Sequence, residues 1–112
     1  MLNYNGRKFR SLRNSENGAV NPGMIFSYQQ AGKIVTCDYS GDNIISGHLI
    51  ALVLEDGSLD MRYHQVNSNG ILMTGLCMSK PEILSDGKIQ LHEFWRWTSG
   101  DLSSGESILL EI

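Results

Sequence analysis

Short runs of alternating apolar and polar residues, separated by pairs of small polar residues, extend along most of the chain. The pairs that contain glycine are Asn5-Gly6, Ala31-Gly32, Gly41-Asp42, Asp56-Gly57, Asn69-Gly70, Asp86-Gly87 and Ser104-Gly105. Glycine pairs spaced about 8 to 12 residues apart are typical of hairpins in antiparallel sheets. No window has the periodicity of a helix. The pattern therefore predicts an all-β protein with one domain over residues 1–112.

The runs between these pairs predict about eight strands. Their ranges are 7–13, 23–30, 33–40, 43–55, 58–67, 71–79, 88–98 and 106–112, with a possible short strand at 2–5 and a polar loop from Asn14 to Pro22. A meander of this length leaves two unpaired edges unless the sheet closes on itself. We therefore expect a single antiparallel up-and-down β-barrel (calycin-like) rather than a sandwich.

Hairpin turns fix which side chains share a face, because a shift of one residue turns a strand over. If four of the glycine pairs, from residue 31 to residue 70, are central pairs of two-residue loops, one mostly apolar face points inward. On the fourth and sixth strands this face carries His48, Ile50, Leu52 and Leu54, and Leu72, Thr74, Leu76 and Met78. An alternative is a three-residue loop from Glu55 to Gly57 with Gly57 in a bulge, which would place Ile50, Leu52 and Leu54 beside Asp60, Arg62 and His64.

Polar and aromatic residues on the predicted inner face form the candidate site. Tyr28, Val35, His48, Gln65 and Thr74 would form a row across five strands, and Glu93 would share the interior with Trp95 and Trp97. A buried carboxylate needs hydrogen bonds or stays protonated. The row is either a polar layer that closes a filled barrel or part of a pocket for a small organic molecule. The candidate ligand-binding residues are Tyr28, Tyr39, His48, Tyr63, Gln65, Glu93, Trp95 and Trp97.

Two further functional classes remain open at this point. A small-barrel isomerase or hydrolase could use Glu93 and His48 as an acid and base pair. A purely structural or subunit-interaction module would have an interior filled to the barrel axis.

Charge and cysteine content narrow the possible partners. Nine Lys and Arg against twelve Asp and Glu give a net charge of -3, and four of the basic residues (Arg7, Lys8, Arg10 and Arg13) lie in the first thirteen positions. We interpret them as an exposed edge strand and expect no nucleic-acid partner. Cys37 and Cys77 lie in apolar runs without metal-ligand spacing, and we expect buried free thiols in a cytoplasmic protein.

Neither a metal, a cofactor nor a membrane is predicted. His48 points inward in the predicted register whereas His64 and His92 point outward, so the three cannot converge on one ion. No stretch approaches the roughly 18 consecutive apolar residues that a membrane-spanning helix needs.

Apolar residues on the predicted outer face indicate an assembly surface. Ile45, Leu49, Ala51 and Val53 would alternate along the longest strand, with Val66, Met73 and Cys77 on the next two strands and Phe94 beyond them. Large exposed apolar patches usually mark an interface, most often with an identical subunit. We expect a homodimer through Ile45, Leu49, Val53, Val66 and Met73.

The stretch LDMRYHQVNSNGILMTGLC and the block GKIQLHEFWRWTSGD resemble a family of short bacterial proteins that carry the name N-acetylglutamate synthase. That name implies an acetyl-CoA-dependent acetyltransferase with a pyrophosphate-binding loop at a helix N-terminus. The nearest match to such a loop is Gln29, Gly32 and Ile34, which opens a strand, so no catalytic residue is assigned. In outline, the predicted barrel is similar to lipocalin and avidin-like barrels.

Overall fold

The computed structural model describes residues 2–14 and 23–112 and shows an antiparallel all-β protein. Nine strands occur in this part of the chain: β1 (Lys8–Asn14), β2 (Ile25–Ser27), β3 (Gln29–Ala31), β4 (Ile34–Gly41), β5 (Ile44–Val53), β6 (Leu59–Asn67), β7 (Leu72–Ile83), β8 (Ile89–Trp97) and β9 (Ser104–Glu111). Within the same ranges, no helix is long and apolar enough to cross a bilayer. The predicted fold class is confirmed.

Nine strands form instead of eight because the predicted strand at 23–30 divides at Tyr28 into β2 and β3. The possible short strand at 2–5 does not form. β9 begins at Ser104, so the predicted turn at Ser104-Gly105 lies within a strand. Residues 15–22, which hold nearly all of the predicted polar loop, lie outside the described ranges.

One short segment joins the two edges of the sheet. The strand order is β2-β1-β9-β8-β7-β6-β5-β4-β3, and only Tyr28 separates β2 from β3. The backbone of Tyr28 continues the pairing, since its N–H donates to the carbonyl of Arg7 at 2.9 Å and its carbonyl accepts from Gly6 at 3.0 Å. The barrel is therefore nearly closed. β1 lies between β2 and β9, so the prediction of a basic edge strand was wrong.

Three hairpins share a three-residue loop, which at Asp56-Gly57 and Asn69-Gly70 is one residue longer than the predicted two-residue loop. Between β5 and β6, the Leu54 N–H donates to the Ser58 carbonyl at 2.8 Å and the Gly57 N–H donates to the Leu54 carbonyl at 2.9 Å. Gly57 has φ +86°, which favours glycine in this bulged position. The same bonds recur around Gly70 and Gly87. The bulged alternative at Gly57 is therefore the correct one.

The β4–β5 hairpin adds a second change of register. Gly41 and Asp42 both have positive φ, and the pairing shifts between Tyr39 and Gly41, which places Tyr39 opposite Gly47. β4 and β6 keep their predicted faces, but β5 and β7 are turned over. The predicted interior residues that lie on the outer wall instead are Ser46, His48, Ile50, Leu52, Leu54, Leu72, Thr74, Leu76 and Met78.

The predicted dimer surface is largely inside the barrel for the same reason. Leu49 and Val53 are each 4% exposed, Met73 packs against the core, and Val66 is half-buried. Of the five residues named for that surface, Ile45 alone is well exposed. The apolar residues that the outer wall does expose include Ile50 and Leu52 on β5, Leu72 on β7, Ile34 on β4 and Phe94 on β8.

The segment before β1 closes one end of the barrel. Tyr4 is fully buried, and its hydroxyl donates to the Gly57 carbonyl at 2.5 Å, which ties the segment to the β5–β6 loop. The ring of Tyr4 packs against Phe9 and Tyr28, with centroids 6.4 and 6.1 Å away. The space left inside the barrel is bordered by residues such as Trp97, which ends β8 at the opposite end.

Candidate functional site

The barrel encloses a cavity in which the centres of water-sized molecules can occupy about 70 Å³. One water needs about 10–15 Å³ by this measure, so there is room for several waters or a small organic group. The space is smaller than the roughly 300 Å³ typical of sites for drug-sized ligands. The residues that line it are Phe26, Tyr28, Tyr39, Leu49, Met61, Tyr63, Gln65, Cys77, Glu93, Trp95, Trp97, Ser107 and Leu109.

Aromatic rings form most of one wall. Alternation along β8 places Glu93, Trp95 and Trp97 on the inner face, as predicted. The rings of Trp95 and Trp97 lie 6.1 Å apart, and Trp97 meets Tyr63 edge to face at 5.5 Å. Both indoles are more than nine-tenths buried. Aromatic side chains therefore form part of the surface that a molecule inside the cavity would contact.

Two tyrosine rings reach the cavity because each lies across a glycine on the neighbouring strand. A Cβ atom at Gly47 would overlap the ring of Tyr39, and a Cβ atom at Gly75 would overlap the ring of Tyr63. Each tyrosine is the direct cross-strand partner of its glycine. Glycine inside a strand often marks such a close approach. Sequence reasoning missed these two glycines, although that signal was present in the strands.

Gln65 presents an unused donor to the interior. The Tyr39 hydroxyl donates to Gln65 Oε1 at 3.0 Å, and Gln65 is 2% exposed. Its Nε2 atom has no hydrogen-bond partner among the described residues, and the same is true of the Tyr28 hydroxyl, which is 1% exposed. Buried polar groups are normally hydrogen-bonded. Both atoms are therefore available to a molecule in the cavity.

Glu93 is the acidic group of the cavity. Its Oε1 accepts from the Ser107 hydroxyl at 3.3 Å, whereas Oε2 is buried and finds no partner within the described ranges. Burial raises the pKa of this carboxyl to about 7, partly opposed by Ser79, Ser107 and Cys77. By hydrogen-bond geometry, neither Ser79 nor Cys77 donates to this carboxyl, so among the described residues Ser107 is the donor we assign. The carboxyl is accordingly poised between its two protonation states near neutral pH.

His48 does not belong to this site. Because β5 is turned over, the imidazole lies on the outer wall, where Nδ1 is 2.6 Å from Asp38 Oδ1 and the His64 ring is 5.7 Å away. Thr74 also lies outside and bonds Thr98 at 2.7 Å. The predicted row across five strands was therefore wrong. The acid and base pair of Glu93 and His48 does not form, because the barrel wall separates the two side chains.

The two cysteines and the potential metal ligands are the remaining chemical groups of interest. Cys37 and Cys77 are buried, and in the described part of the chain each is a free thiol, as predicted. Burial raises the pKa of Cys37 to about 11 and that of Cys77 well above its usual value. Over residues 2–14 and 23–112, no group of three His, Cys, Asp or Glu side chains could hold a metal ion.

A nearly closed antiparallel barrel around an aromatic cavity defines a small up-and-down barrel protein. Residues 2–112 match the family model described as "Avidin-like protein", and the chain belongs to the avidin-like family. No curated protein matches the sequence. The expected similarity to avidin-like barrels is thus confirmed. The name N-acetylglutamate synthase is not supported, and Gln29, Gly32 and Ile34 lie in a β-hairpin instead of at a helix N-terminus.

Proposed function

We propose that this protein binds a small organic molecule inside the barrel. The observation that carries the proposal is the aromatic cavity with three buried polar atoms left without partners by the described residues: Gln65 Nε2, Tyr28 Oη and Glu93 Oε2. Leaving such an atom unsatisfied costs about 1–3 kcal/mol. A ligand that supplies the missing partners would recover part of that cost.

The seven residues of the proposed binding site divide into two roles. Trp95, Trp97 and Tyr63 supply apolar contact area, while Gln65, Tyr28 and Glu93 fix the orientation of a polar ligand through hydrogen bonds. Tyr39 holds the Gln65 amide in place through its 3.0 Å bond. The size of the cavity favours a compact ligand, or the head of a longer one.

Mass spectrometry of denatured protein tests the proposal directly. Protein purified without a ligand wash should release one low-mass compound in near-stoichiometric amount. Gln65→Met removes the free amide with little change in volume and should reduce the yield at least tenfold, whereas Gln90→Met on the outer wall should not. The proposal fails if no compound is released and a broad panel of small molecules leaves the fluorescence of Trp95 and Trp97 unchanged.

A second proposal concerns self-association. The outer wall exposes Ile34, Leu52 and Phe94, which are 44%, 51% and 44% exposed, and cross-strand pairing brings Ile34 beside Leu52. Asp60 and Arg62, paired at 2.7 Å, lie between these apolar side chains. Because an acid and a base alternate there, the wall is complementary to a second copy of itself across a two-fold axis. We therefore propose a homodimer through this wall.

Light scattering at low micromolar concentration distinguishes the proposed homodimer from a monomer. The dimer should have twice the 12.5 kDa mass of the chain. Leu52→Glu should produce the monomer, while Leu102→Glu, at an exposed position in the turn between β8 and β9, should leave the dimer intact. A 12.5 kDa species of the unmodified protein would contradict the proposal.

The site of action in the cell is also part of the proposal. Buried free thiols such as those of Cys37 and Cys77 favour a reducing compartment, which supports a cytoplasmic location. Fractionation of cells that express the tagged protein would test it, and recovery outside the cytoplasm would contradict it.

A further inference from the structure

We propose that the ligand carries a compact cationic group, of the class of protonated alkylamines, held between the Glu93 carboxylate and the indole faces of the cavity. This inference rests on the proposed function and adds the charge of the ligand to it. Three independent features of the cavity support it: the charge of the lining, the unused carboxylate oxygen and the aromatic surface.

The lining carries one acid and, in the part of the chain that the structure describes, no basic side chain. Its other ionisable groups are Tyr28, Tyr39, Tyr63 and Cys77, and burial raises the pKa of each well above its usual value. All four are therefore neutral near pH 7. A ligand anion would meet the Glu93 carboxylate with no cation among the described lining residues to offset the repulsion, whereas a ligand cation would supply a counter-charge.

The hydrogen bonds of Glu93 also favour a cationic ligand. The Ser107 hydroxyl already uses Oε1, and Oε2 lacks a donor from any described residue. An ammonium group has donors and no acceptor, so it can satisfy Oε2 without leaving a new polar atom unpaired. A charge-assisted bond of this kind is stronger than one between neutral groups.

The aromatic wall favours a cation over a neutral group of the same shape. Trp95 and Trp97 border the same cavity as Glu93, and Tyr63 and Phe26 complete the surface. The face of an indole attracts a cation within about 6 Å through the ring quadrupole, most strongly when the site excludes water. The two tryptophans are the only ones in the sequence, so intrinsic fluorescence reports occupancy of the cavity.

The pH dependence of binding follows from the groups that face Glu93. Ser79 and Cys77 on β7, Ser107 on β9 and Tyr28 are neutral, so among the described residues only the ionisation of Glu93 changes the charge of the site near pH 7. Because the pKa of Glu93 is about 7, affinity for a cation should fall tenfold for each pH unit below this value. A neutral ligand that accepts a hydrogen bond from the protonated carboxyl would show the opposite dependence.

Three molecules of one shape test the charge preference: tert-butylammonium, tert-butanol and trimethylacetate. Tryptophan fluorescence titrations at pH 8 should show that the cation binds at least tenfold more tightly than the alcohol, and that the anion binds more weakly than either. Glu93→Gln should lower the ratio of cation affinity to alcohol affinity at least tenfold. Glu106→Gln, an exposed acid on the outer face of β9, is the matched control and should change nothing.

The outcomes separate this inference from the proposed function. If the alcohol or the anion binds as tightly as the cation, or if the compound released from the purified protein is neutral or anionic, the cation is excluded and the cavity remains a ligand site. If none of the three molecules binds and no compound is released, both proposals fail. Titrations of the unmodified protein with tert-butylammonium at pH 5 and pH 8 test the inference even if Glu93→Gln does not fold. Equal affinities for the cation at pH 5 and pH 8 would overturn the inference.

Discussion

Glu93 should make the folded protein less stable as the pH rises, and replacement by glutamine should remove that effect. The carboxyl has an ordinary pKa of 4.5 in the unfolded chain and about 7 in the folded protein. Below pH 4.5 Glu93 is protonated in both the folded and the unfolded protein, so it does not lower the free energy of unfolding. Between 4.5 and 7 the unfolded chain releases its proton while the folded protein keeps it, so the free energy of unfolding falls with pH. Above 7 the loss is complete at about 3 kcal/mol.

Urea denaturation at pH 5 and pH 8 measures this loss. Between pH 5 and pH 8, the free energy of unfolding should fall by about 2 to 3 kcal/mol more in the unmodified protein than in the Glu93→Gln variant. Glu55→Gln, in the exposed β5–β6 turn, serves as the control because its carboxyl lies in solvent and should leave the pH dependence unchanged. Parallel pH dependences for the unmodified protein and Glu93→Gln would refute the assignment of a buried, weakly partnered carboxyl.

Three smaller perturbations test the packing. Gly75→Ala should destabilise the protein by about 1–3 kcal/mol in urea, because the new methyl group displaces the Tyr63 ring, and the penalty should shrink in a Tyr63→Leu background. Tyr4→Phe should cost about 1–2 kcal/mol through loss of the bond to the Gly57 carbonyl; an unchanged urea midpoint would contradict that bond. Cys37, with its pKa of about 11, should react with a disulfide reagent at pH 8 at least a hundredfold more slowly when native than in urea, and equal rates would show that the thiol is exposed.

The alternation of residues and the glycine pairs were sufficient to predict the barrel and most of its strand ranges. They also placed seven of the eight candidate residues on the face that lines the cavity, in part because β8 alternates without a bulge and places Glu93, Trp95 and Trp97 inward. Tyr39 and Tyr63 kept their faces because β4 and β6 have the predicted phase. Alternation within one strand depends only on residues that are neighbours in the sequence, so it can be predicted from the sequence.

The relative phase of neighbouring strands was harder to predict, because it depends on one residue in each turn. Asp56-Gly57 fits either a two-residue loop or the last positions of a three-residue loop with a bulge. The segregation of apolar side chains favours the two-residue loop, because that loop collects Ile50, Leu52 and Leu54 on one inner face. The outer wall exposes these three residues, so segregation of apolar side chains was a misleading criterion. His48 was assigned to the cavity through the same error.

The pairing of β1 with β9 constrains how the protein can fold. The strands from β4 to β9 form consecutive hairpins, whose contacts are close in sequence, whereas Phe9 lies opposite Glu111 and Arg7 forms an ion pair with Glu111 at 3.0 Å. Local hairpins form before distant strands meet, because closing a long loop costs entropy. During synthesis, the hairpins can assemble as they leave the ribosome and β1 can pair with β2, but the other edge of β1 stays unpaired until β9 is available. The cavity that β9 helps to line therefore exists only after synthesis has reached the last strand.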